Sequence, residues 1–440
     1  MQMQMTVDQA LSHGGTGQFQ KRLLGILGLV WAGNAMQTLA VGFTASSLAA
    51  TFGITVPRAL QTGTLFFVGM LIGAVLFGRI ADRIGRRNTL ILTVGLDAIF
   101  ALASVFANDF MALLALRFLT GAAVGGTLPV DHAVMAEFLP PRSRGRWLVL
   151  LGGFWAVGTV VIVLTAGAME LAQATEAFRA VFFMAALPVV IGAGLRLWVP
   201  ETPLYLLRRG RAVEARRVLD RIMRRNGVEA LPEGVVVSMP PSDAIEGGLF
   251  GPMLRQRTLA LLALWFFVSL AYYGTFIWLL PQSTGEGSGF VAGYGILLWL
   301  AVVQLPGYAL AVWAIEAWGR RLTLVLFLFL SATGCAVYAY GTLGLVVILG
   351  LSLMSFALLG TWGVLYAFTA ELYPTGLRGT GMGTASAAAR LAGLLAPMAL
   401  APLVAAKGFP FTVSLFAMLL VIGIVAVLAI RAETRDRALN

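Results

Sequence analysis

Ala136-Glu137-Phe138-Leu139-Pro140, running on to Arg144-Gly145, returns later in the chain as Ala370-Glu371-Leu372-Tyr373-Pro374, running on to Arg378-Gly379. Both copies fit A-E-x-x-P-x-x-x-R-G, and the positions between differ freely. The offset is 234 residues, from Ala136 to Ala370. A second motif repeats at the same offset: Asp82-Arg83-Ile84-Gly85-Arg86-Arg87 matches Glu316-Ala317-Trp318-Gly319-Arg320-Arg321. Two unrelated motifs at one offset, each at the polar end of an apolar run, indicate a chain made of two copies of one unit.

The runs between the motifs say what the unit is. Hydrophobic residues make up 59% of the chain and charged ones 12%, against roughly 45–50% and 25% in a soluble domain. Mean hydropathy is +0.87 over all 440 residues, so the apolar excess is spread along the chain. About 20 apolar residues cross a bilayer as a helix. Such stretches fall near 22–50, 58–79, 88–107, 110–136, 146–170 and 177–198, then near 257–281, 288–316, 321–341, 343–370, 380–406 and 409–431. The expectation is an all-α membrane protein of twelve transmembrane helices in two six-helix halves: 1–198, a linker at 199–256, and 257–440. Within the linker, Ala212–Arg225 alternates charge with Val213, Val218, Leu219 and Ile222, which reads as an amphipathic helix at the membrane surface. The polar first twenty residues read as a lead-in to a full-length span that acts as its own targeting signal.

The net charge of +11 follows topology and not nucleic acid. The arginines crowd into alternate loops, from Arg79–Arg87 through Arg142–Arg146 and Arg208–Arg225 to Arg320, Arg321 and Arg378, whereas the loops between hold only Arg58, Arg179 and Lys407. Positive charge is retained on the cytoplasmic side. Both termini and the linker are therefore expected there, in a multi-pass protein of the inner or plasma membrane.

At these residues the chain resembles the major facilitator superfamily. Gly78-Arg79-Ile80-Ala81-Asp82-Arg83-Ile84-Gly85-Arg86-Arg87 resembles its loop signature after the second helix, and Pro200-Glu201-Thr202-Pro203 resembles the P-E-S-P element of its sugar and metabolite porters. More narrowly, Gly17-Gln18-Phe19-Gln20, Leu128-Pro129-Val130-Asp131, Tyr272-Tyr273-Gly274 with Trp278-Leu279-Leu280-Pro281, and Leu305-Pro306-Gly307-Tyr308 resemble the branch holding bacterial nicotinate carriers, synaptic-vesicle-protein-like transporters and organic ion transporters. The resemblance implies a carrier working by alternating access, with substrate left open.

Ionisable residues inside a membrane are costly, so each is a candidate for function. They are Asp97, Arg117, Asp131, His132 and Arg390. Arg390, in the eleventh span, offers a permanent cation with a planar fork of donors, suited to a carboxylate; that stretch also resembles the helix-11 motif of organic anion carriers. Arg117 occupies the family's fourth-helix arginine position. The acids that the branch carries on the first helix are here the amides Asn34 and Gln37, which do not titrate. Two arginines facing a cavity without those acids favour an anion, with Asp97 or Asp131 left to supply the missing charge. Asp131 lies about 40° around and roughly 21 Å along the helix from Arg117. The two cannot touch, and Asp131 is a proton-coupling candidate or a partner for Arg144 or another loop arginine. His132 and Asp97 read as packing and structural residues. Tyr273, Trp278, Gln304, Trp362 and Tyr366 complete the candidate substrate site with Arg390, Arg117, Asn34 and Gln37. The candidate latch closing the cytoplasmic side comprises Asp82, Arg83, Arg86, Glu137 and Arg144 with Glu316, Arg320, Glu371 and Arg378. Asp82 can cap a facing helix N-terminus or pair across the seam. Glu137 with Arg144, and Glu371 with Arg378, stand seven positions apart as pairs that can open and close.

With two histidines and one cysteine, neither a metal cluster nor a nucleophile–base pair is legible, and no cofactor is called for. The reading is a secondary active or facilitative transporter of a small organic anion, nicotinate-like or an aromatic carboxylate. It works as a monomer in the lipid bilayer, with protons as a candidate co-substrate and no nucleic-acid partner. A sugar or polyol carrier, or a non-transporting receptor, is the alternative.

Overall fold

The computed structural model describes residues 4–239, 248–279, 290–342, 344–374 and 376–435. Twelve long helices dominate it. In chain order they are α1 (Gln18–Phe52), α2 (Gln61–Ile84), α3 (Arg86–Val105), α4 (Phe110–Glu137), α5 (Pro141–Leu171) and α6 (Ala177–Arg196). After the linker come α7 (Arg255–Tyr273), α8 (Phe290–Ala317), α9 (Arg320–Tyr340), α10 (Gly344–Leu372), α11 (Arg378–Lys407) and α12 (Phe409–Ala429). Among the described residues eleven of these segments, all but α11, meet the length and hydropathy needed to cross a membrane. Ile99, Met111, Leu164, Phe329 and Val425 stay more than half exposed, the outward apolar surface that lipid requires of a membrane bundle.

The duplication seen in the sequence is repeated in the packing. In the first half α1 packs on α5 and α6, α2 on α4, and α3 on α4 and α6; in the second α7 packs on α11 and α12, α8 on α10, and α9 on α10 and α12. The halves meet along α2–α11 and α5–α8. Gly85 (φ +102°) and Gly319 (φ +84°) turn the chain between α2 and α3 and between α8 and α9. Both positions need glycine twice over. Their backbone is left-handed, and a Cβ would stand 2.2 Å from a Glu201 carboxylate oxygen in one case and 2.9 Å from a Glu433 oxygen in the other.

Two features depart from expectation. The seventh span ends as a helix at Tyr273 and continues as a wide π turn over Gly274–Leu279. The polar lead-in is folded: Gln4–Thr6 pairs in parallel with Val236–Ser238 of the linker, and Val7–Gly14 is a helix opened by a reciprocal capping box between Thr6 and Gln9. That helix packs against Ala212–Arg225, whose buried face is Ala215, Val218, Leu219, Ile222 and Met223. Val213 points outward at 66% exposure, because the i, i+3, i+4 stripe facing the N-terminal helix begins at Ala215. Asn226 ties the two segments together, accepting from Phe19 N–H at 3.1 Å and donating to Gly14 O, Gly15 O and Gln20 Oε1.

Candidate functional site

Between the halves lies a cavity with about 340 Å³ of empty space, walled by aromatic rings. Trp31, Trp155, Tyr272, Trp362 and Tyr366 form a closed circuit, with successive centroids 6.4, 6.5, 6.4, 5.8 and 5.1 Å apart. These residues come from α1, α5, α7 and α10, so both halves contribute. Behind the circuit His132 stacks on Tyr366 at 4.3 Å, Trp31 abuts His132 at 4.5 Å, and Trp265 abuts Tyr366 at 4.6 Å. His132 and Tyr366 are separated by the repeat offset of 234, as are Trp31 and Trp265. The stack therefore sits where the two copies meet, with His132 packed between Trp31 and Tyr366. Trp155 and Trp265 were not singled out from sequence; the offset that pairs the loop motifs also pairs Trp31 with Trp265, and is the signal that finds it.

Arg390 lines this cavity at 1% exposure. It donates to the Tyr273 hydroxyl, with the Tyr366 hydroxyl as a second neighbour. Its buried Nε–H has no hydrogen-bond partner, and no carboxylate pairs with it among the described residues. Seven arginines are fully buried among the described residues. Arg86, Arg144, Arg196, Arg320 and Arg378 each form an ion pair. Arg390 is thus a buried guanidinium held by phenol hydroxyls in a cavity of aromatic rings.

The other sequence candidates divide. Tyr273, Trp362 and Tyr366 line the cavity with Arg390. Gln304 lines a neighbouring cavity of about 500 Å³ that shares Tyr272 with the first. Arg117 does not reach either. It donates to Gln37 Oε1 and Ser104 Oγ, both at 2.8 Å, and lies 4.3 Å from the centre of the Phe182 ring. Asp97 is its charge partner. Gln37 thus keeps the bond that an acid would make but not the charge, and Asp97 stands near Arg117 without forming an ion pair with it. Asn34 is fully buried and lines neither cavity, its amide atoms unpartnered. The side chain of Trp278 lies outside the described residues. Asp131 pairs with Arg196 through bonds of 2.6 and 2.8 Å and not with Arg144, because the last turn of α6 brings Arg196 beside it.

At the end carrying the basic loops, acids and arginines interlock. Asp82 accepts from the Thr380 backbone N–H at 2.9 Å and hydroxyl at 2.8 Å, so it caps the start of α11 in the other half. Glu316 does the reciprocal, accepting from Arg146 N–H of α5 at 2.8 Å. Arg378 crosses the seam to Glu137 at 2.9 Å, and Arg86 joins the same carboxylate at 3.3 Å. Arg320 grips Glu371 with two bonds of 2.9 and 2.8 Å. The sequence suggested Glu137 with Arg144 and Glu371 with Arg378 as pairs within each copy. The arginines instead turn their Nε toward Ala136 O and Ala370 O, and the carboxylates are taken by partners from elsewhere. Arg83 stays exposed and contributes its carbonyl, which accepts from Tyr205 and Arg209. Sequence reading also missed Glu433 and Thr434: Glu433 accepts from Arg320 N–H and Arg321 N–H, and Thr434 donates to Glu371 at 2.6 Å. Their signal was the Glu-Thr of Glu201-Thr202, repeated at an offset of 232.

Comparison with known proteins agrees with this architecture. The family model described as sugar (and other) transporter matches residues 35–440. The niacin transporter NiaP of Acinetobacter baylyi is 32% identical over 429 residues, 96% of each chain. The synaptic vesicle 2-related protein of Xenopus laevis is 28% identical over 99% of this chain and 82% of its own. The proton:xylose symporter XylE, solved with 6-bromo-6-deoxy-D-glucose, shares the fold at a TM-score of 0.80 and 19% identity, covering 97% of this chain and 98% of that one.

Proposed function

This chain belongs to the sugar (and other) transporter family of the major facilitator superfamily, and from that premise we propose that it carries a small aromatic carboxylate, nicotinate-like in size and charge. It is a multi-pass membrane transporter of small molecules. The observation carrying the substrate class is Arg390, a buried cation without a carboxylate partner in a cavity of aromatic rings. Such a cavity suits a flat ring bearing one negative charge, with the carboxylate on the guanidinium fork and the ring between aromatic faces. The name of the NiaP relative points the same way. A sugar finds less here: among the described residues no amide or carboxylate lines the aromatic cavity.

The mechanism we propose is alternating access between halves 1–198 and 257–440, with the segment 199–256 and both termini on the cytoplasmic side of the inner or plasma membrane. The carrier works as a monomer. The interlocked basic end is then the closed cytoplasmic gate, and the cavity faces the opposite side. Among the buried acids Asp131 is held by Arg196, whereas both carboxylate oxygens of Asp97 accept no hydrogen bond. Asp97 beside Arg117 is therefore the better candidate for coupling to protons.

Uptake of labelled nicotinate, nicotinamide and glucose into proteoliposomes tests the substrate class. Nicotinate uptake that Arg390→Ala reduces at least about tenfold is expected, with little uptake of the neutral compounds. Glucose uptake insensitive to Arg390→Ala would overturn the proposal. Repeating the assay with and without a pH gradient tests coupling: Asp97→Asn is expected to abolish any gradient-driven accumulation while sparing exchange.

A further inference from the structure

The tryptophans around the cavity are not in equivalent states. Trp155 donates its indole N–H to the Tyr272 hydroxyl at 3.0 Å, and Trp265 donates to Thr369 at 2.9 Å. Trp31 and Trp362 find no acceptor among the described residues, although both are buried, at 1% and 6% exposure, and both line the cavity. A buried N–H without an acceptor is uncommon in a folded protein and costs free energy. The same rings pack well: Trp31 meets Tyr366 at 5.1 Å, and Trp362 meets Trp265 at 5.2 Å. Their apolar faces are satisfied and their one polar group is not. An orphan donor lining a binding cavity is explained if a bound molecule supplies the acceptor.

We propose that the indole N–H groups of Trp31 and Trp362 read a hydrogen-bond acceptor on the ring of the transported carboxylate, so that the site selects a pyridine carboxylate over its carbocyclic analogue. The inference rests on the assignment of an aromatic carboxylate to Arg390. Arg390 takes the charge, which every aromatic carboxylate has. The tryptophans take the ring atom, which only a heteroaromatic one offers. At neutral pH a pyridine nitrogen is a bare lone pair, the complement of an N–H donor. A benzoate ring would leave both donors buried and unpaired, and sites built to bond a polar atom discriminate strongly against the analogue lacking it.

The test compares nicotinate with benzoate in the wild-type protein, by uptake and by mutual competition in proteoliposomes, and then repeats the ratio in Trp31→Phe, Trp362→Phe and the double variant. Phenylalanine keeps an aromatic face and removes the donor. The wild type is expected to prefer nicotinate by about tenfold or more, the scale of one buried hydrogen bond. The ratio should fall toward one in whichever variant loses the reading donor, with benzoate transport retained. Nicotinate and benzoate transported equally by the wild type, both lost in Arg390→Ala, would overturn the acceptor reading and leave the carboxylate assignment standing. Transport of neither would sink both. A double variant that still transports with an unchanged ratio would also overturn it, and the wild-type comparison stands even if a variant fails to fold.

Discussion

The two copies of A-E-x-x-P-x-x-x-R-G begin alike and end in different company. In the second copy Arg378 crosses to Glu137 of the other half, where both side chains are fully buried. In the first copy Arg144 is claimed by Asp8 of the N-terminal helix at 2.9 Å, though Glu371 contributes to its electrostatic surroundings. Glu371 itself is held by Arg320 and Thr434, all within its own half. One arginine thus fastens half to half, and its counterpart fastens the first half to a segment outside the duplication. The seams differ in the same sense. On α2–α11 the backbones nearly touch, since a Cβ on Gly383 would lie 2.3 Å from Ala74 O and one on Gly78 2.7 Å from Gly379 O. The equivalent positions one repeat away are Val149 and Val312. Gene duplication supplies paired parts, and later substitution decides which copy bears the latch.

The largest effect is expected at Glu137. Glu137→Gln leaves Arg378 and Arg86 buried with less compensation, and breaking a buried pair from one side costs about 3–5 kcal/mol. Thermal stability should fall, and a cysteine introduced as Ser386→Cys, buried on α11 between latch and cavity, should become reactive to alkylation. Glu371→Gln should lower stability without exposing that cysteine, because its partners lie in one half. Equal labelling in the two variants would erase the distinction between the copies.

Next in size is the seam. Gly383→Leu must force α2 and α11 apart, at about 1–3 kcal/mol to the closed state, and should raise labelling at position 386. Val149→Leu, at the matching place on α5, should change labelling little. Asp8→Asn is expected to cost about 1–2 kcal/mol, since Arg144 keeps the Ala136 and Leu139 carbonyls at 3.1 Å each. Limited proteolysis of the N-terminal strand and helix should speed up more than labelling at 386.

The smallest effect is in pH dependence. Burial raises the Glu201 carboxyl above its ordinary 4.5, opposed by hydrogen bonds from the Thr202 and Arg87 N–H groups. The folded state then holds this proton more tightly than the unfolded one. Its contribution to stability is therefore greatest at low pH and declines as pH rises from 4.5 through the higher folded value. Glu201→Gln should flatten that decline, measured as Tm against pH, by less than about 1 kcal/mol.

Much of this was legible without coordinates. Apolar windows located all twelve helices, and the 234-residue offset announced the duplicated packing. Asp82 was expected to cap a facing helix or to pair across the seam, and it caps α11. Trp362, Tyr366, Tyr273 and Arg390 were expected to converge, and they do. The failures share a cause. Arg117 and Arg390 look alike in sequence as arginines within apolar spans, but Gln37 and Ser104 bond the first, with Asp97 near it, while phenol hydroxyls of Tyr273 and Tyr366 hold the second. Glu137 and Arg144 stand seven positions apart, close enough to suggest a pair, yet each chooses a more distant partner. The N-terminal helix was passed over as polar lead-in although Thr6 and Gln9 spell a capping box.

The sequence by itself determined the solvent this chain folds in, the number of its helices and their twofold repetition, because hydropathy and motif spacing are properties of the chain read in order. Tertiary structure decided which buried arginine is left for a ligand and which copy of each motif joins the halves. Ion pairs between helices depend on how each helix is rotated against its neighbours, and periodicity along one helix gives a face without naming what that face will meet.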